Sequence, residues 1–259
     1  MSTQSAAPNY SHFGDAEIQL MESITGPPAQ QLIKQSGLLD DKRDDLTIFD
    51  SAAGAGVVTA IVKAALPDAK IVMGDLEKKM VELATKRIAE QGWKQVEVKE
   101  ANAQELPFAD ASFDYTLANF AFQLFPDPDK ALSEAYRTLR PSGTLGYTAW
   151  NYVPFVALLA RVDPSFTTPP PFSAPVAVRS KVPGALSAAG FSDIQVEDVK
   201  SPRKWPSADQ FLEDMKWGMK GLFQDEQRNQ KLLALIKEEQ GAGEVEFTWE
   251  GIAVTAKKA

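Results

Sequence analysis

The chain has 259 residues, of which 44% are apolar and 24% are charged, and this balance is typical of a folded globular protein. Its formal net charge of −8, without a basic run, argues against nucleic acids and anionic membranes as partners. The chain has no cysteine and one histidine, which excludes disulfides and cysteine- or multi-histidine-ligated metal sites, so we expect no metal centre.

The N-terminal part lacks the basic start and apolar stretch of a secretory signal. No run of about 18 apolar residues is present, so we expect no membrane span and a cytoplasmic location. Residues 1–16 are weakly patterned, whereas apolar residues recur at helical spacing over residues 17–39. The sequence Gly26-Pro27-Pro28 interrupts that spacing and predicts two separate helices.

From residue 46 onward, short apolar segments that predict strands alternate with segments of helical periodicity. Strands connected by helices in this rhythm form parallel sheets with helices on both faces. The predicted strands are residues 46–50, 69–74, 96–99, 113–118 and 144–150, and the predicted helices are residues 57–66, 78–91 and 128–139.

The remainder of the chain departs from this alternation. Residues 151–180 are rich in proline with phenylalanines between, which predicts a loop anchored by aromatic side chains. The elements predicted after it are a helix at 182–189, a strand at 194–199, helices at 207–223 and 225–240, and a strand at 246–256. Two strands separated by two helices indicate an antiparallel closing pair.

These elements predict one α/β domain over residues 1–259, with a Rossmann-like, seven-stranded, mostly parallel sheet, helices on both faces and an antiparallel last strand. We expect residues 1–40 to form a helical lid and residues 46–150 to bind a cofactor. Residues 151–180 and 205–242 are expected to be insertions that form a substrate cap.

A turn of small residues, Asp50-Ser-Ala-Ala-Gly54-Ala-Gly56, lies where the first predicted strand meets its helix. Such a turn lets a ligand approach the backbone, and the helix N-terminus offers free N–H groups. Gly-x-Gly alone is equally consistent with a tight turn that binds nothing. The prediction of a site becomes stronger with Asp75, which ends the second strand, because an acid at that place accepts hydrogen bonds from ribose hydroxyls.

A dinucleotide site would place glycine or alanine where this chain has Thr59. It would also leave Asp50 unexplained, because a carboxylate beside the turn repels a pyrophosphate. The same carboxylate suits a cationic amino group. The residues therefore favour a nucleoside that carries an ammonium group, and S-adenosylmethionine fits this description.

Four segments resemble the class I S-adenosylmethionine-dependent methyltransferases, especially the ubiquinone and menaquinone biosynthesis branch. They are IFDSAAGAG, MGDLEKKM, ANAQELPFADASFD and FPDPDKALSEAYRTLRPSGTL, within residues 46–150. The resemblance implies S-adenosylmethionine as cofactor. It places Asp50 toward the methionine end, Asp75 on the ribose, and Leu76 and Met80 beside the adenine.

The resemblance also identifies other residues of the cofactor site. Asn102 stands where the family usually has an aspartate that receives the adenine amino group, and an amide oxygen accepts the same bond. Ala52 stands where the family often has its first glycine. The remaining residues assigned to the cofactor are Tyr10, Gly54, Gly56, Ala103 and Asn119.

Within this family, the chain is similar to the fungal gliotoxin thiol S-methyltransferase type. The shared features are the Asp-x-Ala-x-Gly-x-Gly turn, EQGW at 90–93, FAFQLFPD at 120–127 and Trp150-Asn151. This similarity implies a small secondary metabolite as acceptor, with a thiol favoured and a hydroxyl or amine possible.

The carboxyl ends of the fourth and fifth strands should face the acceptor. We expect catalytic roles for Phe120, Gln123 and His12, and acceptor contacts from Phe13, Phe122, Trp150, Tyr152 and Trp217. Each has a structural alternative: core packing for the aromatic residues, a hydrogen bond at a helix start for Gln123, and a solvated tail for His12.

Two other functions remain open at this stage. The fold also suits a protein that binds the cofactor but catalyses other chemistry, such as a cyclase or pericyclase, or a non-catalytic regulatory binder. With one histidine, few residues can serve as the base for O-methylation, so the composition favours an acceptor that ionises by itself. The sequence does not fix the oligomeric state.

Overall fold

The computed structural model describes residues 14–167, 173–218 and 222–259. The strands in these ranges are β1 (Thr47–Ser51), β2 (Lys70–Asp75), β3 (Val96–Glu100), β4 (Phe113–Asn119), β5 (Leu139–Tyr152), β6 (Phe191–Trp205) and β7 (Val245–Lys258). The α-helices there are α1 (Asp15–Gln35), α2 (Val57–Ala65), α3 (Lys78–Gln91), α4 (Pro128–Thr138), α5 (Pro154–Val162), α6 (Val182–Ala188), α7 (Ala208–Gly218) and α8 (Glu226–Gln240).

Within the described ranges, seven strands form one sheet in the order β3-β2-β1-β4-β5-β7-β6. Strands β1 to β5 pair in parallel, and β7 runs antiparallel to both of its neighbours. The predicted fold class is therefore confirmed. The strand order reverses between β1 and β4, and this switch point opens a crevice at the carboxyl ends of the strands.

Successive residues of the central strands point to opposite faces of the sheet, as the period of a strand requires. Ile48 and Leu117 belong to a core that α1, α2 and α3 cover, while their neighbours Phe49 and Ala118 belong to a core that α4 and α6 cover. Both faces of the sheet are therefore buried, which explains why the sequences of these strands are continuous apolar runs.

A third core lies where β6 and β7 continue past the end of β5. The two strands remain paired from Ser201↔Trp249 to Trp205↔Val245, whereas β5 ends opposite Glu250. Helices α5, α7 and α8 pack on this extension around large aromatic side chains. The rings of Phe211 and Phe247 stack with centroids 4.1 Å apart.

Helix α1 corrects the prediction of two helices, because it continues through Pro27 and Pro28. Proline removes a helical hydrogen bond, but tertiary packing outweighs this loss here. Pro28 is buried in the helix face that packs on the sheet. The side-chain amide of Asn119 also donates to the Thr25 carbonyl at 3.2 Å.

Three other predictions were wrong in detail. The loop predicted over 151–180 contains α5, whose Pro154 occupies the first turn, where a missing N–H is tolerated. The strand predicted over 144–150 begins earlier, at Leu139, and forms the continuous strand β5. Strand β6 extends well beyond residues 194–199 because its second half pairs with β7 in the extension. Among the described residues, no helix is long and apolar enough to cross a membrane.

Gly251 of β7 should be essential to the sheet. It lies opposite Trp150, and a Cβ there would overlap the Ala149 carbonyl oxygen and approach the Trp150 ring to 3.4 Å. Gly251→Ala should lower the free energy of unfolding by about 1–3 kcal/mol in urea denaturation, because the backbone must shift. Gly184→Ala is the control, since a Cβ there meets nothing within 4 Å. Equal stability of the two variants would contradict this prediction.

Candidate active site

Exposed apolar side chains mark the carboxyl edge of the sheet. The exposed large hydrophobic residues of the described chain are Met21, Leu76, Leu124 and Tyr152. Leu76 directly follows β2, Leu124 lies in the short helical turn after β4, and Tyr152 ends β5. Exposed apolar surface is typical of ligand sites, and this edge is where open α/β sheets bind ligands. We therefore place the candidate site here.

The turn from β1 to α2 has an unusual backbone. Ala52, Gly54 and Gly56 have φ values of 50°, 55° and 90°, all in the left-handed region. Glycine adopts this region freely, but alanine does so at a cost of about 1 kcal/mol or more. A Cβ on Gly56 would lie 2.7 Å from Met73 Cε, the end of a flexible side chain that would have to move, so the φ of 90° is the main reason for glycine at this position. The turn thus presents bare backbone to the crevice.

Asp75 connects this turn to the end of β2. Its Oδ2 accepts a hydrogen bond from the Gly54 N–H at 2.8 Å, and its Oδ1 accepts one from the Glu77 N–H at 2.9 Å. The side chain is largely buried, and burial raises the pKa of its carboxyl group. A carboxylate has about four acceptor positions, so two remain for further donors.

Asp50 lies behind the turn, with a relative exposure of 1%. Its Oδ2 accepts hydrogen bonds from the Thr59 N–H at 3.1 Å and the Thr59 hydroxyl at 2.7 Å. Burial raises the pKa of Asp50 to about 7. Asp50 and Thr59 therefore fasten the end of β1 to the first turn of α2. The sequence showed Thr59 only as a departure from a dinucleotide motif, and its partnership with Asp50 was missed.

The loop after β3 carries Asn102 and Ala103. Asn102 Oδ1 accepts a hydrogen bond from the Gln104 N–H at 3.0 Å, so its oxygen stabilises its own turn. Arg137 of α4 donates to the Leu106 carbonyl at 3.1 Å and the Phe108 carbonyl at 2.8 Å. These two hydrogen bonds from Arg137 hold the loop in place. They were not predicted from the sequence, because an arginine on a helix is usually a solvent-exposed charge.

Phe120 follows β4 and has a left-handed backbone, with φ at 57°. Its N–H donates to the Thr148 hydroxyl at 2.9 Å, and that hydroxyl donates to Asn119 Oδ1 at 2.7 Å. The Phe120 ring stacks on Trp150 with centroids 3.5 Å apart and an interplanar angle of 6°. Gln123 Oε1 accepts a hydrogen bond from the Trp150 N–H at 2.5 Å. These bonds join β4 and β5 and fix the aromatic pair.

Known proteins show the same core. A family model described as a methyltransferase domain matches residues 49–146. Methyltransferase ktnA from Aspergillus niger is 27% identical over 274 residues, an alignment that covers 89% of this chain and 90% of the relative. The ubiquinone/menaquinone biosynthesis C-methyltransferase UbiE from Brucella anthropi is 40% identical over 108 residues, covering 41% of each chain. Together these matches support a class I S-adenosylmethionine-dependent methyltransferase, with the methyltransferase domain at residues 49–146.

The methyltransferase domain also resembles solved structures. The YcgJ protein from Bacillus subtilis shares the fold with a TM-score of 0.63 and 21% identity, and the match covers 89% of this chain and 97% of that one. At 21% identity, this match shows a shared fold only.

S-adenosylmethionine is the cofactor of this domain, and the residues at the crevice fit it. The Asp75 carboxylate retains acceptor positions for ribose hydroxyls, the bare turn 52–56 admits close contact, and exposed Leu76 offers an apolar surface for adenine. Met80 is 5% exposed, so it is buried and offers little surface to a ligand. Individual contacts to the cofactor remain predictions.

Several of the predicted site residues have a different role in the structure. Phe122 is 1% exposed and packs between Phe125 and Tyr147, so we correct its role from acceptor contact to core packing. Gln123 is 3% exposed and holds the Trp150 backbone, which makes it a positioning residue. Asn119 uses both ends of its amide within the protein, toward Thr25 and Thr148.

The side chains of four predicted site residues are not described by the structure. Tyr10, His12 and Phe13 lie outside the described residues. Trp217 belongs to α7, of which only the backbone is described at that position. Trp150 and Tyr152 do lie at the predicted edge, at the end of β5. The structure thus brings together the cofactor residues of β1 and β2 with the aromatic pair of β4 and β5.

Removal of the Asp75 charge should weaken the cofactor complex. Asp75→Ala should weaken the binding free energy of S-adenosylhomocysteine by about 1–3 kcal/mol in calorimetry, because the ribose hydroxyls lose a charged acceptor. Asp44→Ala removes an exposed carboxylate at the opposite edge of the sheet and serves as the control. Unchanged affinity in Asp75→Ala would remove this residue from the site.

Asp50 should make stability depend on pH. Its raised pKa means that the native state holds a proton that the unfolded chain has released, so stability falls as pH rises from about 4 to about 7. Asp50→Asn keeps an acceptor for Thr59 and lacks this titration. Its unfolding free energy relative to the unmodified protein should therefore increase between pH 5 and pH 8. A difference that does not change with pH would show that Asp50 titrates normally.

Proposed function

We propose that this protein transfers the methyl group of S-adenosylmethionine to an apolar small molecule, with a thiol as the favoured acceptor, in fungal secondary metabolism. The observation that carries the proposal is the chemistry of the crevice beside the cofactor turn. Residues 120–126, which follow β4, and residues 150–153, at the end of β5, contain no Asp, Glu, Lys, Arg or His. They present Phe120, Trp150, Leu124 and Tyr152 instead.

S-adenosylmethionine supplies an electrophilic methyl group. Its transfer is fast when the acceptor atom is held in line at about 3–3.5 Å and water is excluded, since positive charge disappears during the reaction. Phe120 and Trp150 provide a rigid, apolar wall for this purpose. The Phe120 N–H donates to the Thr148 hydroxyl and the Trp150 N–H donates to Gln123 Oε1, and these hydrogen bonds fix the position of the wall.

The same side chains argue for the type of acceptor. Asp127, the next carboxylate after β4, accepts a hydrogen bond from the Lys130 N–H at 3.0 Å and caps α4. Apart from the Tyr152 phenol, whose ordinary pKa is about 10, no ionisable side chain in the two segments is available as a general base. A thiol, whose pKa is about 8.5, is partly ionised near neutral pH without one. The absence of a basic residue in these segments also disfavours a phosphorylated acceptor.

The relatives support this proposal and leave the acceptor open. Methyltransferase ktnA is fungal and aligns over most of both chains, which supports a fungal small-molecule methyltransferase. The two alternatives, other chemistry on the same fold and a non-catalytic regulatory binder, predict no transfer of label from methyl-labelled S-adenosylmethionine to any acceptor.

The test compares acceptors of matched shape. With labelled S-adenosylmethionine, thiophenol should be methylated faster than phenol or aniline, and the pH–rate profile should follow ionisation of the acceptor. His12→Ala should reduce kcat at most about tenfold, below the 10²–10⁴-fold expected for loss of a general base. Methylation of phenol that disappears in His12→Ala, with both ligands still bound, would identify a hydroxyl acceptor instead.

A further inference from the structure

One guanidinium joins three separate parts of the cofactor region. Arg87 of α3 donates from Nη1 to Glu22 Oε1 of α1 and to the Ala55 carbonyl, the latter at 3.1 Å. Its Nη2 donates to Glu22 Oε2 at 3.3 Å. The side chains of Arg87 and Glu22 are 23% and 27% exposed, so the pair is shielded more than an ordinary surface ion pair.

The carbonyl that Arg87 holds belongs to the turn at the cofactor. Ala55 lies between Gly54, whose N–H donates to Asp75, and Gly56, which begins α2. Left-handed residues on both sides of Ala55 make this backbone easy to distort unless its surroundings hold it. The guanidinium also lies 5.7 Å from the centre of the Trp93 ring, which restricts its orientations.

We propose that Arg87 is a positioning residue for the cofactor, which couples the placement of α1 to the conformation of the turn 52–56 through Glu22 and the Ala55 carbonyl. The coupling continues from Gly54 to Asp75, the carboxylate assigned to the ribose. Such a coupling is reciprocal. The free energy by which a bound cofactor stabilises the docking of the N-terminal half of α1 therefore equals the free energy by which the docked helix strengthens cofactor binding. The proposal rests on the cofactor assignment and not on the acceptor.

The neighbouring residue supplies a matched control. Lys86 pairs with Asp15 at 3.1 Å and therefore also links α3 to α1. Its side chain is 50% exposed and that of Asp15 is 75% exposed. No hydrogen bond from Lys86 to the turn is present among the described contacts. Lys86→Ala thus removes an ion pair between the same two helices without touching the cofactor backbone.

The experiment measures S-adenosylhomocysteine affinity by calorimetry on the full chain. Arg87→Ala should raise Kd at least about tenfold, while Lys86→Ala should stay within about twofold. Arg87→Lys keeps the charge but cannot bridge both acceptors in a fixed fork, so its Kd should be intermediate. Steady-state kinetics should show a raised KM for S-adenosylmethionine with an unchanged KM for the acceptor.

Hydrogen exchange provides a second measurement. Saturation with S-adenosylhomocysteine should protect residues 15–25 of the unmodified protein, and this gain should be lost in Arg87→Ala and kept in Lys86→Ala. Equal affinity losses in Arg87→Ala and Lys86→Ala, or unchanged Kd in Arg87→Ala, would overturn the proposal. If the unmodified protein does not bind S-adenosylhomocysteine, the cofactor assignment fails first and the proposal with it.

Discussion

The chain must pass from β1 into α2 within five residues, Ala52 to Gly56, and three of them adopt left-handed conformations to do so. This backbone is intrinsically unfavourable and persists only because its surroundings determine it. Asp50 and Thr59 fix the turn from below, Asp75 holds the Gly54 N–H, and Arg87 holds the Ala55 carbonyl. The remainder of the crevice is arranged around this turn.

The apolar wall of the candidate site depends on a similarly strained backbone at the end of β4. Phe120 has a left-handed backbone at the tip of the strand, which directs its ring onto Trp150. Thr148 and Gln123 bond the backbone of the two residues rather than any ligand. Strained residues that a network of hydrogen bonds over-determines are common at functional sites. Here the network fixes an apolar wall at the same edge of the sheet as the cofactor turn.

The sequence was sufficient for the sheet but not for every element. Short apolar segments predicted the seven strands, although not the full length of β5 and β6, because both faces of the central strands are buried and apolar runs indicate burial. The continuity of α1 through two prolines was not predictable, since it depends on contacts with β4 and the sheet. The length of β6 likewise depends on its pairing with the extended part of β7.

The site was predictable where backbone chemistry requires particular residues. Glycines in a strand–helix turn and an acid at the next strand end indicate a nucleoside site by themselves. The residue type alone could not distinguish the role of Phe120, whose ring stacks on Trp150, from that of Phe122, which packs in the core. Arg87 carries no local signal, because its two partners are 65 and 32 positions away in the chain.

Alanine rather than glycine at position 52 has a consequence for the thermodynamics of cofactor capture. A glycine there would relieve the left-handed strain, but it would also let the empty turn sample many more conformations. The methyl group of Ala52 narrows that ensemble toward right-handed and extended conformations, so the left-handed backbone at position 52 is kept by the hydrogen bonds of Ala53, Gly54 and Ala55 around it. The strain at Ala52 thus makes the shape of the turn depend on its neighbours, and a change that loosens those bonds moves the backbone away from the conformation that the cofactor meets.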